Sequence, residues 1–167
     1  MATFPSPSDI KALSQDLHKL VENIESTEYG ELIYSALKAI AQISQGDTER
    51  LDWKILAGSL QDMQKAIAMF YPYRFNRKVS IFGSARTDRY APEYEQAYKF
   101  AEKITSQGFM VITGAGGGIM TAGNEGAGSN SLGLNISLPF EQSSNGAVDD
   151  ALRLVKFRYF LDRKSVV

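Results

Sequence analysis

Thr113-Gly114-Ala115-Gly116-Gly117-Gly118-Ile119-Met120 is a glycine-dense bend with contrasting flanks. Ahead of it, Phe109-Met110-Val111-Ile112-Thr113 is apolar and continuous, the pattern of a strand covered on both faces. Behind it a short helix begins. A bend of this kind sits at the C-terminal end of a parallel strand, where open α/β sheets bind ligands. Glycine permits positive φ and close approach of backbone to a ligand. The helix start adds unpaired N–H groups and a partial positive charge, which suit a phosphate. Four glycines in the five positions 114–118 exceed what a tight turn needs. Gly114, Gly116, Gly117 and Gly118 are therefore candidate binding residues.

Two common nucleotide patterns do not fit. Counted from Gly114, the dinucleotide pattern G-x-G-x-x-G meets Ile119 at its third glycine. No Asp or Glu stands at a strand end about 20 residues further on; Glu141 falls past the strand, in a loop. No Gly-Lys-Ser/Thr follows, so a P-loop is excluded. A mononucleotide or a sugar phosphate fits better than NAD or ATP, and no cofactor is expected.

Outward from the bend, strands alternate with helices. Val79-Ser80-Ile81-Phe82 reads as a strand and Gly83-Ser84-Ala85-Arg86 as a turn. Pro92 suits a first helical turn, Tyr94, Ala97, Tyr98, Ala101 and Ile104 form a buried face, and Gly108 ends the helix. Leu132 to Leu138 is a third strand closed by Pro139, Gln142 to Gly146 a polar loop, and Leu152 to Phe157 a fourth strand. The pattern predicts an α/β fold, a Rossmann-like, doubly wound parallel sheet that is incomplete. Phe160 to Val167 reads as the start of a helix without a terminator, either a frayed end or, as favoured here, a truncation. At the same sheet edge, Gly83, Ser84 and Arg86 could meet a phosphate or ribose; Arg86 reads equally as a solvated loop charge. Glu141 could accept hydrogen bonds from ribose hydroxyls, or be a surface carboxylate.

Residues 1–75 read as an N-terminal helical extension and 76–167 as the nucleotide-binding domain. Ser6-Pro7-Ser8-Asp9 is a helix start, followed by the stripe Ile10, Leu13, Leu17, Leu20, Val21 and Ile24. A second helix carries Leu32, Ile33, Leu37, Ile40 and Ile43. A third begins near Asp47-Thr48, carries Leu51, Ile55, Leu60, Met63, Ile67 and Phe70, and stops at Pro72. His18 lies off the apolar stripe and reads as a surface imidazole.

Composition narrows the function. The 167 residues contain no Cys and one His, which rules out disulfides, thiolate chemistry and multi-His metal sites within one chain. A formal net charge of -1 gives no basic footprint for nucleic acid. No apolar run approaches the roughly 18 residues of a membrane span, and the N-terminus lacks the basic and apolar regions of a signal peptide. A cytoplasmic location is expected.

Five segments together resemble the LOG (Lonely Guy) family of nucleoside-monophosphate phosphoribohydrolases, annotated in older usage as lysine decarboxylases. They are Ser80–Arg86, Pro92-Glu93-Tyr94, Ile112–Met120, Gly133–Gln142 and Phe157–Lys164. The resemblance runs from about Asn76 to the last residue. It implies hydrolysis of the N-glycosidic bond of a nucleoside 5′-monophosphate, such as AMP or a cytokinin nucleotide, to base and ribose 5-phosphate. It implies that Arg163 is catalytic, steadying negative charge, and that Lys164 and Glu141 contact substrate. It also implies a homodimer. Two departures stand out. Thr121 occupies a position where close members carry Glu, and the family's Pro-Gly-Gly-x-Gly-Thr-x-x-Glu motif does not occur in this sequence. The chain alone is thus expected to be inactive. A non-catalytic nucleotide-binding module and an inactive remnant are the alternatives.

Overall fold

The computed structural model describes residues 6–137, 144–148 and 153–159. Two compact units divide the chain, Met1–Arg50 and Leu51–Val167.

In the first unit, α1 (Pro7–Glu22) starts where Ser6 predicts. The Asp9 N–H donates to Ser6 Oγ at 3.2 Å, and the Ser6 N–H donates to Asp9 Oδ2 at 3.0 Å, a reciprocal capping box. A short 3-10 turn leads to α2 (Gly30–Ser44). No residue of either helix is buried, and the stripe residues Ile10, Leu13, Leu17 and Val21 are exposed. His18 is at the surface, 3.2 Å from Glu22.

The second unit is built on four parallel strands in sequential order: β1 (Lys78–Ser80), β2 (Met110–Thr113), β3 (Ser131–Ile136) and β4 (Leu154–Phe157). The predicted strands all form. Between them lie α4 (Pro92–Ser106) and α5 (Ile119–Ala127). Gly108 ends α4 as expected. It takes φ +81 while its N–H bonds Thr105 O and the Phe109 N–H bonds Ile104 O, a Schellman closure.

Sequential order has a consequence for packing. Right-handed crossovers that all step the same way place their helices on one face. Ala101 of α4 and Ala127 of α5 accordingly pack with Val111, Ile81 and Ile104. The other face exposes Met110, Ile112, Leu132, Leu134, Val155 and Phe157, and an element outside these crossovers has to cover it. That element is α3 (Arg50–Phe70), whose Ala66 and Met69 join this core. The helix that composition groups with the N-terminal extension is thus part of the α/β unit.

The buried face of α3 is Gly58, Asp62, Ala66 and Met69. Of the predicted stripe, Leu51, Ile55, Leu60 and Ile67 are exposed. Small residues let the helix lie close to the sheet, and these are invisible to a search for large apolar side chains. Tyr98, expected on the buried face of α4, is 37% exposed. Its carbonyl abuts α5 instead, where a Cβ added to Gly126 would stand 2.2 Å from Tyr98 O.

Candidate functional site

The glycine bend joins the C-terminal end of β2 to the first turn of α5, as the sequence predicts. Two residues give it its shape. Ala115, fully buried, holds a left-handed φ of 51. Gly118, the residue before α5, has φ 59 and ψ -126, a conformation that L side chains avoid. A Cβ on Gly118 would lie 2.1 Å from Ser84 O, and one on Gly117 would lie 2.7 Å from Ala85 O. The Ile119 N–H donates to Ser84 O at 3.1 Å. The Gly83–Arg86 turn and the glycine bend are therefore in backbone contact, which brings two of the predicted elements together.

The amides of Gly116, Gly117 and Gly118 bond to no acceptor among the described residues. Successive free amides at a helix start form a concavity that attracts anions. Gly117 is exposed, as are Gly83, Ser84 and Arg86. Ser84 Oγ accepts the Arg86 N–H at 3.1 Å, and the Arg86 guanidinium has no ion pair among the described residues. Gly114 is buried, its carbonyl held at 3.1 Å by Asn135 Nδ2. Glu141, Arg163 and Lys164 lie outside the described residues.

Beneath the bend runs a polar network that sequence reasoning did not single out. Thr113 Oγ1 donates to Asn124 Oδ1 at 2.7 Å and accepts the Ala115 N–H at 2.8 Å. Asn124 Nδ2 donates to Ser131 Oγ. Asn145 Nδ2 donates to Gly116 O at 2.7 Å and to Asn124 Oδ1 at 3.0 Å. The Asn145 N–H donates to Ala115 O at 2.9 Å. Thr121 Oγ1 bonds Gly116 O at 3.0 Å. The carbonyls of Ala115 and Gly116 are thus bonded from the protein side. Thr113, Asn124 and Ser131 are buried, where polar groups without partners would be costly.

A second cluster fastens the segment after the Gly83–Arg86 turn. Arg89 Nη1 lies 2.9 Å from Glu125 Oε1, and Tyr94 OH donates to Glu125 Oε2 at 2.8 Å. Burial, together with the hydrogen bond to the Glu125 carboxylate, pushes the Tyr94 phenol up from 10.0 to about 12. The raised value means the fold favours the neutral phenol. That stabilisation is complete below pH 10 and is lost as pH rises through 12. Wild-type stability should therefore fall more steeply than that of Tyr94→Phe between these limits, measured by denaturant unfolding. Parallel profiles would remove the phenol from the account.

Among the described residues, no group of three His, Cys, Asp or Glu could hold a metal ion. Among them, no helix is long and apolar enough to cross a membrane.

Residues 76–154 match the model of the SLOG cluster4 family, in a superfamily that includes LOG-like proteins. No curated protein matches the chain. The match spans β1, α4, β2, the glycine bend, α5 and β3, the elements that build the site. With its parallel α/β sheet and glycine bend, the 76–154 segment of this chain is similar to the SLOG cluster4 family.

Proposed function

We propose that the α/β unit binds a nucleoside 5′-monophosphate, with the phosphate on the amides of Gly116, Gly117 and Gly118. The observation that carries this is the run of three amides at the end of β2 that bond to no acceptor among the described residues, in a bend packed against the exposed Gly83–Arg86 turn. In this reading Ser84 adds a hydroxyl and Arg86 a positive charge to the bound anion. The activity we propose for the site is hydrolysis of the N-glycosidic bond. The bond from C1′ to the base nitrogen breaks, water oxygen bonds to C1′, and a proton passes to the base. Roles for Glu141, Arg163 and Lys164 come from the LOG resemblance. Hydrolysis also calls for the Pro-Gly-Gly-x-Gly-Thr-x-x-Glu motif, from a longer polypeptide or another subunit, because this sequence does not contain it.

One observation favours a second reading, binding without hydrolysis. Among the described residues, the side chains hydrogen-bonded to the bend are Thr113, Thr121, Asn135 and Asn145, all neutral. They can shape a binding loop, but they do not trade protons at neutral pH. Incubation with AMP separates the two. Supplied with the missing motif, the protein should release adenine and ribose 5-phosphate, and Arg163→Ala should abolish release. Saturable AMP binding with no adenine formed would select the second reading, and unchanged turnover in Arg163→Ala would reject the role of that residue.

We also propose self-association into a dimer, supported by the exposed stripe on α1. Light scattering should give the mass of two chains; a single-chain mass at micromolar concentration would reject the proposal.

A further inference from the structure

We infer that Asn145 is a positioning residue for the anion site, pinning the glycine bend so that its amides face a ligand. The inference rests on the phosphate site proposed above. Asn145 belongs to the polar loop after β3, to which no role attaches from sequence pattern alone. It is 29 residues from Gly116, yet it bonds two consecutive carbonyls of the bend. Its N–H takes Ala115 O at 2.9 Å, and its Nδ2 takes Gly116 O at 2.7 Å. A peptide unit carries its C=O and the following N–H on opposite sides. Fixing Ala115 O and Gly116 O toward the protein therefore turns the N–H groups of Gly116 and Gly117 the other way.

The orientation of the side chain is set by its neighbours. Nδ2 also donates to Asn124 Oδ1 at 3.0 Å, and that oxygen already accepts from Thr113 Oγ1. Turning the amide over would put Oδ1 against two acceptors. As it stands, Oδ1 is buried and has no hydrogen-bond partner among the described residues. An unpaired buried acceptor is costly, so the amide serves through its donor side. Asn135 Nδ2 reaches Gly114 O at 3.1 Å and Ala115 O at 3.3 Å. Asn135 therefore holds the start of the bend and Asn145 its middle, where the free amides begin.

The test uses the full chain, 15N-labelled, with AMP as the probe. In wild type, AMP should shift the amides of Gly116, Gly117 and Gly118 saturably. Asn145→Ala should keep a dispersed spectrum with α4 and β4 resonances in place. The three glycine amides should move even without AMP, and AMP should bind about tenfold more weakly, the loss expected when the side-chain bonds to Gly116 O and Asn124 Oδ1 are gone and only the backbone bond to Ala115 O still holds the bend. Asn145→Ser, which keeps one O–H donor, should lie between. If the wild-type glycine amides ignore AMP, the phosphate site itself fails. If they respond and Asn145→Ala binds AMP as wild type does, only the positioning role is overturned. Collapse of the spectrum in both variants would also overturn it, because Asn145 would then hold the fold rather than the bend.

Discussion

Gly118→Ala is expected to destabilise the α/β unit by about 2–6 kcal/mol and to remove AMP binding. Two separate effects add. A non-glycine residue at φ 59, ψ -126 is strained by about 1–3 kcal/mol. The new methyl would also stand 2.1 Å from Ser84 O, a backbone atom that cannot rotate away. Relief requires the Gly83–Arg86 turn or α5 to move, an overpacking cost of about 1–3 kcal/mol. Such movement strains the bond from the Ile119 N–H to Ser84 O and separates the two halves of the site. The fold contains its own control. Gly128 has nearly the same backbone, φ 55 and ψ -125, but an added Cβ there meets nothing within 4 Å. Gly128→Ala should therefore show the conformational cost alone, about 1–3 kcal/mol, and keep AMP binding. Urea unfolding of the two variants measures the difference; equal losses would mean that the contact with Ser84 is not rigid.

Asp62→Ala is the second large effect, with an expected loss of about 3 kcal/mol. Asp62 is fully buried on the sheet side of α3. Its Oδ2 accepts the Arg158 N–H at 2.8 Å, immediately after β4. Its Oδ1 lies 3.2 Å from Arg158 Nη2 without hydrogen-bond alignment, and 3.8 Å from Lys65 Nζ. Both cationic side chains are substantially exposed, 44% and 61%, so the ion pairs themselves add little. The larger contribution is the carboxylate–amide bond, about 1.5–3 kcal/mol for a charged acceptor, with an unpaired amide left behind when it goes. Asp62→Asn keeps an acceptor and should lose less than Asp62→Ala. Denaturant midpoints test the order. Equal losses would show that charge, not the bond to Arg158, holds the end of β4.

The sheet and its glycine bend were legible because their signals are local. A continuous apolar run such as Met110–Thr113 cannot face water on either side, and a glycine cluster directly after it has few other uses. Helix ends were equally readable: Ser6 and Asp9 close a capping box, and Gly108 closes α4. The placement of α3 was not readable, because its contact with the sheet runs through Gly58, Asp62 and Ala66, residues that apolar periodicity does not count. The polar network was hidden for another reason. Asn124, Asn135 and Asn145 look like ordinary surface and turn residues, and they meet at the bend only once the parallel strands are in register. The Gly83–Arg86 turn was found by its position at a strand end, but its direct backing of Gly117 and Gly118 needed the three-dimensional fold.

A structure of the protein with AMP bound is the most direct measurement. Phosphate oxygens should lie about 3 Å from the amide nitrogens of Gly116, Gly117 and Gly118, with the Gly83–Arg86 turn alongside. A phosphate seated elsewhere on the chain, with those three amides left facing solvent, would contradict the proposed site.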